Sequence, residues 1–240
     1  MNAAEREELA AWAAALGAPL SDEQLAQFAA YEALLLAWNE RIALTAIREP
    51  RQIRIRHFLD ALSCAAATGP LDGQALIDVG SGAGLPGLPL KILYPDLRLT
   101  LVDSVAKKAR FLALVANELG LRDVVVVADR AEMLGQDAAH REQYDWAAAR
   151  AVAELRVLAE LLLPLVRVGG RALAQKGDSA AEELTAAGPA ITALGGGATQ
   201  RIPVRLPEAE AIHYLVTIDK IAATDPRYPR RAGIPAKRPL

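Results

Sequence analysis

Residues Ala75–Gly87 read ALIDVGSGAGLPG, an apolar run that ends in an acid and opens into closely spaced glycines. The run has the texture of a strand buried on both faces, and the glycines let the backbone turn sharply and approach a ligand without side chains in the way. Outward from this stretch, LRLTLVD, DVVVVAD, YDWAAARA, GRALAQK and HYLVTIDK repeat the buried-strand texture. Between them, 106–119 and 153–165 have helical length and periodicity. Strands alternating with helices predict a parallel α/β sheet, because parallel neighbours need crossover connections. Gly188-Pro189 and Gly195-Gly196-Gly197 are read as loops that interrupt the last third.

The first seventy residues are different in kind. Ser21-Asp22-Glu23-Gln24 offers a capping start, followed by Leu25, Phe28, Tyr31, Leu35 and Trp38 at three- and four-residue steps, which predicts an amphipathic helix. A second helix is expected after Pro50, with Ile53, Phe58, Leu59 and Leu62 on its inner side. Thr68-Gly69-Pro70 and Asp72-Gly73 break that pattern, so the sequence divides into a helical extension over 1–70 and an α/β domain over 71–240.

Length and composition set outer limits. The chain has 240 residues, 52% hydrophobic and 23% charged, which fits a globular protein and excludes collagen-like and disordered classes. No apolar run approaches the roughly 20 residues that cross a bilayer, and the acidic start MNAAEREELA is unlike a secretory signal. A cytoplasmic protein without a membrane partner is expected. Cys64 is the single cysteine and His57, His140 and His213 are scattered, so neither a disulfide nor a metal site is expected. The net charge of −2 hides an uneven distribution. Arg41, Arg48, Arg51, Arg54 and Arg56 form one basic stretch, and Arg227, Arg230, Arg231, Lys237 and Arg238 form a second with no acid among them. Two such patches in a mildly acidic chain point to a polyanionic partner.

The glycine loop admits two cofactor readings. Gly82 to Gly87 is a formal G-x-G-x-x-G, and Asp103 follows about 20 residues later at the end of the next strand, as in nicotinamide-dinucleotide enzymes. Counted from the strand, however, the pattern is Asp78-x-Gly80-x-Gly82-x-Gly84, with an acid where nicotinamide binders are usually apolar. An acid there suits a ligand with a cationic group and no pyrophosphate, such as S-adenosylmethionine, whose ribose hydroxyls Asp103 would accept. Asp103 as a plain helix cap is the structural alternative. Asp129-Arg130-Ala131-Glu132, after the third strand, would bring backbone groups of Ala131 and Glu132 to the adenine edge, or simply begin a helix.

The acceptor is constrained by what is missing. Carbon methylation calls for a Cys nucleophile, and Cys64 lies in the helical extension. Exocyclic amines are served by an Asn/Asp-Pro-Pro-aromatic turn after the fourth strand, where this chain has Ala149-Arg150-Ala151-Val152. A ring nitrogen such as guanine N7 has an in-plane lone pair and no proton to lose, and needs neither. Arg150 could then orient the base or touch the cofactor, with an ion pair to Asp145 or Glu154 as its structural alternative.

Trp38-Asn39-x-x-Ile42-x-Leu44-Thr45-Ala46-Ile47-Arg48, Ile55-Arg56-His57-Phe58-Leu59-Asp60-Ala61-Leu62, IDVGSGAGLPGLPL, LVDSVAKKARFL and Tyr228-Pro229-Arg230-Arg231-Ala232-Gly233-Ile234-Pro235 occur in order along the chain. Together they resemble the bacterial 16S ribosomal RNA guanine-N7 methyltransferases, formerly called glucose-inhibited division protein B, over almost the whole chain from about Gln24. The middle Ala83 replaces a frequent proline, and 179–199 matches poorly. The resemblance implies a Rossmann-like class I methyltransferase fold with a mostly parallel seven-stranded sheet, S-adenosylmethionine as donor, and 16S RNA or the small-subunit particle as partner. It carries over Gly80, Leu85, Asp103, Ala131, Glu132 and Arg150 as cofactor contacts, to which the residue reading adds Asp78, Gly82, Gly84 and Ser104. Candidate RNA contacts are Arg48, Arg54, Arg56, His57, Lys176, Arg230, Arg231 and Lys237, in a protein expected to act as a monomer. His57 and His213 are otherwise read as packing or surface residues. An oxidoreductase on the same loop, and an RNA-binding ribosome factor without turnover, remain as rivals. Calorimetry separates the first: S-adenosylhomocysteine should bind and NADH should not, and binding of NADH alone would select the oxidoreductase.

Overall fold

The computed structural model describes all 240 residues. Helices α1 (Ala3–Ala15) and α2 (Asp22–Asn39) open the chain, each with a capping box, from Asn2 and Glu5 in α1 and from Ser21 and Gln24 in α2. Both boxes satisfy backbone N–H groups that the first helical turn leaves free. The next segment runs through α3 (Pro50–Ile53), a π-helical stretch Arg54–Leu59, α4 (Asp60–Leu62) and α5 (Ala65–Thr68).

From β1 (Ala75–Val79) the expected alternation follows: α6 (Gly87–Leu93), β2 (Arg98–Val102), α7 (Ala106–Glu118), β3 (Val124–Val127), α8 (Ala131–Leu134), β4 (Tyr144–Arg150), α9 (Leu155–Leu162) and β5 (Val166–Lys176). The chain ends with α10 (Ala180–Ala193), β6 (Gly196–Val204), β7 (His213–Lys220) and α11 (Ile234–Lys237). The seven strands form one sheet in the order β3-β2-β1-β4-β5-β7-β6. Strands β1 to β5 pair in parallel, and β7 runs antiparallel between β5 and β6. No helix is long and apolar enough to cross a membrane.

Two readings of the last third are corrected. Gly188-Pro189 lies inside α10 rather than in a loop. Gly196-Gly197 begins β6, where the glycines sit against β7 and its exit: a side chain at Gly196 would strike Ile191 and Ile218. These glycines mark close approach of neighbours, which weakens a strand's sequence signal without preventing it.

The sheet is packed on both faces. One apolar cluster joins α1, α2 and the π-helical stretch to α6, α7 and the sheet, with Phe28, Tyr31, Phe58 and Phe111 fully buried. It runs without interruption across the sequence break at Thr68–Gly73. The other face carries the cluster of α9, α10, β5 and β7. Within the first cluster Arg54 is turned inward, contrary to its reading as an RNA contact: its side chain is 3% exposed and donates to Glu32 at 2.9 Å and Glu5 at 2.9 Å. Burial raises the Glu32 carboxyl above its usual range despite that partner. Removing one member of such a pair strands the other charge, so Arg54→Leu should cost about 3–5 kcal/mol by urea denaturation, most of it recovered in Arg54→Leu with Glu32→Leu. A loss below about 1 kcal/mol would show that the pair does not hold the helices of the extension to one another.

Candidate active site

Strand order reverses between β1 and β4, and such a point leaves a crevice beyond the carboxyl ends of the strands. The glycine loop fills the β1 side. Gly80 N–H and Ser81 N–H both donate to Val102 O, at 2.8 and 2.9 Å, and Ser81 Oγ accepts from Val102 N–H at 3.1 Å, so the loop is pinned to the end of β2. Gly80 has φ +71°, and a Cβ there would lie 2.6 Å from Val152 Cγ2 across the crevice. At Gly84, φ +97°, a Cβ would strike the Tyr31 hydroxyl at 2.8 Å. Only glycine meets both demands.

Asp103 braces this loop. Its Oδ2 accepts from Gly82 N–H at 3.0 Å and its Oδ1 from Val105 N–H at 2.8 Å, the second being a local turn bond and not a cap, since α7 has Val105 at its N-cap and no side-chain cap bond. Each carboxylate oxygen keeps acceptor capacity for a ligand hydroxyl. Asp78 stands elsewhere than the sequence suggested. It is fully buried behind the loop, lines neither of the cavities described below, and accepts from Gly87 N–H at 3.0 Å while Oδ1 has no partner. In this structure it holds the start of α6 and faces neither cavity.

A cavity of about 230 Å³ opens beyond the loop, lined by Val79, Gly80, Val102, Ser104, Asp129 to Glu132, Val152, Ala153, Val157, Leu161, Gly233, Pro235 and Ala236. Gly82, Gly84, Leu85 and Asp103 are not on its wall; the first three form the turn behind Gly80, and Asp103 stands between Val102 and Ser104, which are on the wall, and braces that turn. The charged groups on this lining are Asp129, Glu132 and Arg130, two acids to one base, a balance that suits a cationic ligand better than a pyrophosphate. The donor set and the glycine cradle fit S-adenosylmethionine, which is cationic at sulfur and nitrogen. Glu132 spends its Oε1 on Gly233 N–H at 2.8 Å, so its side chain ties down the C-terminal segment.

A second, larger cavity of about 740 Å³ lies beside the first, over the ends of β4 and β5 and the start of β7. Arg150 and Ala151 line it while Val152 and Ala153 line the smaller one, so the strand end itself separates the two. Ala151 holds φ +54°, a left-handed conformation unusual for alanine, and strained backbone of this kind concentrates at functional sites. Arg150 pairs with Asp60 at 3.0 Å, not with Asp145 or Glu154, which bind Arg167 and Arg156 instead. It also donates to Arg56 O at 3.0 Å and to His57 Nδ1 at 2.9 Å.

His57 Nδ1 lies between Arg150, which only donates, and Arg56 O at 3.0 Å, which only accepts, while Nε2 is 2.7 Å from Thr45 Oγ1. Burial and the Arg150 charge lower the His57 pKa to about 4, which keeps the ring neutral. Asp60 is the hub that sequence reasoning did not single out. Its second oxygen takes His213 Nδ1 at 3.1 Å and its carbonyl accepts from Gln175 Nε2 at 2.8 Å. The pair with Asp60 raises the His213 pKa. The run Arg56-His57-Phe58-Leu59-Asp60 was the available signal.

The remaining basic candidates divide. Arg56 is exposed at the larger cavity, and Arg48, Arg231 and Lys237 are exposed. Lys176 lines the same cavity but is held by Glu183 at 2.6 Å and Ala153 O at 2.9 Å. Arg230 is held by Glu160, a fully buried carboxylate, at 2.7 Å.

Asp78 gives this site a pH signature. Burial pushes its pKa up to about 7, so between roughly pH 4 and 7 the folded chain keeps a proton that the unfolded chain has released. Its contribution to stability is therefore present at acid pH and lost as pH rises through about 7. Asp78→Asn cannot ionise, so its stability relative to the wild type should climb between pH 4.5 and 7.5 in urea titrations; a constant difference would contradict the buried ionisation.

Comparison with known proteins follows the same lines. The sequence profile of the GidB family, described as rRNA small subunit methyltransferase G, matches residues 24–206. A protein of Roseiflexus castenholzii named ribosomal RNA small subunit methyltransferase G is 53% identical over 234 residues, covering 98% of this chain and 99% of its own length. Its namesake in Alkaliphilus metalliredigens is 47% identical over 225 residues, covering 94% of each chain. Among solved structures, a 16S rRNA (adenine(1408)-N(1))-methyltransferase from Catenulisporales acidiphilia superposes with TM-score 0.53 at 17% identity, covering 65% of this chain and 88% of that one. A precorrin-6y C5,15-methyltransferase from Geobacter metallireducens gives TM-score 0.50 at 13% identity, covering 68% and 87%. At those identities the structures establish the class I methyltransferase fold alone. The full-length sequence relatives establish more: the chain belongs to the GidB family, the rRNA small subunit methyltransferases G.

Proposed function

We propose that this protein transfers a methyl group from S-adenosylmethionine to N7 of a guanine in 16S ribosomal RNA. The observation that carries the reading is the placement of two cavities on either side of one strand end. The smaller is built around the glycine loop, and the larger is lined by Arg56 and Arg150. When bound, S-adenosylmethionine supplies an activated methyl group whose sulfur is a ready leaving group.

What remains for the protein is alignment and exclusion of water, which require no proton transfer when the acceptor is a ring nitrogen. Gly80, Ser104, Ala131 and Glu132 line the donor side, Asp103 beside Ser104 braces the loop and keeps acceptor capacity for the ribose, and Gly82, Gly84 and Leu85 shape the loop behind them. Arg150, fixed by Asp60 and His57, presents its guanidinium at the larger cavity, where it can donate to the O6 edge of a guanine. Cys64 is fully buried in the helical extension, out of reach as a nucleophile, which keeps carbon methylation disfavoured.

The extension, residues 1–70, serves the acceptor side through Arg56 and Asp60, while 71–240 carries the donor side. Arg48, Arg56, Arg231 and Lys237 supply backbone affinity for RNA without choosing the base. Arg54 is withdrawn from that role, and Lys176 and Arg230 could join it only by leaving their carboxylate partners. Cytoplasmic action as a monomer belongs to the same reading.

The test is to incubate the protein with methyl-labelled S-adenosylmethionine and either naked 16S RNA or small-subunit particles, digest to nucleosides and analyse by mass spectrometry. Label in 7-methylguanosine is expected with at least one substrate. Label in another nucleoside would overturn the acceptor, and no label with either substrate would favour a binding factor without turnover.

A further inference from the structure

The chain after β7 does not leave the molecule; it turns back along α8 and α9 toward the cofactor cavity. Arg141 gathers it with bonds to the carbonyls of Tyr228 at 2.7 Å and Thr224 at 2.6 Å, and Gln136 Nε2 reaches Pro229 O at 2.8 Å. Arg230 then grips Glu160 with its side chain and donates its backbone N–H to the same carboxylate at 2.8 Å. Gly233 N–H closes on Glu132 Oε1, and Gly233, Pro235 and Ala236 complete the cavity wall. The strap lies beyond the segment that the family profile covers, while its anchors Glu132, Gln136, Arg141 and Glu160 lie within it.

We propose that residues 228–237 form the outer wall of the cofactor site, closing over the adenine end of S-adenosylmethionine. The inference rests on the cofactor assigned above and adds residues that neither the glycine loop nor Asp103 implies. The wall is built of small and apolar groups, Gly233, Pro235, Ala236, Ala131, Val157 and Leu161, with Asp129, Arg130 and Ser104 at its rim. An apolar slot with a polar rim fits a flat heteroaromatic ring, whereas the amino-acid end of the cofactor is charged and suits the loop side near Gly80. The strap is secured by carboxylates of two helices, Glu132 of α8 and Glu160 of α9, and only Glu132 touches the cavity. A wall held in this way governs how fast a ligand leaves more than how fast it arrives. The Arg230 patch, read from sequence as an RNA contact, thus has its first use inside the protein.

Hydrogen exchange on the full chain with and without S-adenosylhomocysteine tests the placement. Slower exchange is expected over 230–237 together with 80–84. Protection of 80–84 with 230–237 unchanged would overturn the wall, while protection of neither at saturating ligand would overturn the cofactor assignment itself. The double variant Arg230→Leu with Glu160→Leu removes the tie without touching the cavity lining. It should release S-adenosylhomocysteine at least about fivefold faster in stopped-flow displacement. An unchanged dissociation rate accompanied only by a lower melting temperature would reduce the strap to a structural role and refute the proposal.

Discussion

The bond between the Asp103 carboxylate and Gly82 N–H is the contact on which the donor side depends. Parallel strands expose their carboxyl ends at one edge of the sheet, and the reversal of strand order between β1 and β4 leaves space there. A flexible glycine loop could collapse into that space. The carboxylate closing β2 and the Ser81 hydroxyl prevent this by tying the loop to the end of β2, while Asp78 holds the loop's exit from within the core. The site is thus shaped before any ligand arrives, which suits a reaction whose main requirement is alignment.

The acceptor side depends on a different junction. Asp60 belongs to the helical extension, yet it meets Arg150 of β4, Gln175 of β5 and His213 of β7. Register makes this possible: Arg150 and Gln175 are paired residues at the ends of adjacent strands. The π-helical stretch before Asp60 sends Arg54 into the core and leaves Arg56 exposed at the larger cavity. Widened helical turns of this kind recur at functional sites, and here one turn divides two arginines between structure and surface. The extension is therefore a working part of the site.

Much of this was legible in the sequence. The strand texture of Leu76 to Val79, the spaced glycines and Asp103 at the end of the next strand located the crevice, because strand burial and glycine turns leave strong local signals. The capping box at Ser21 located α2 for the same reason. What escaped depends on partners distant in the chain. Nothing near Arg54 reveals Glu32 and Glu5, and nothing near Arg230 reveals Glu160. Charge clustering therefore overstated both basic patches. Asp78 was read as facing a ligand because local order cannot tell which side of a turn a side chain takes. Strand β6 was hidden by glycines that serve close packing, and α10 by Pro189, which sits on its exposed side.

The most direct measurement is a crystal structure of the protein grown with S-adenosylhomocysteine. The account predicts density across the turn at Gly80, with the ribose hydroxyls within hydrogen-bonding distance of the Asp103 carboxylate and the thioether sulfur facing the Arg150–Ala151 strand end. Ligand density at another place, or ribose density turned away from Asp103, would contradict it.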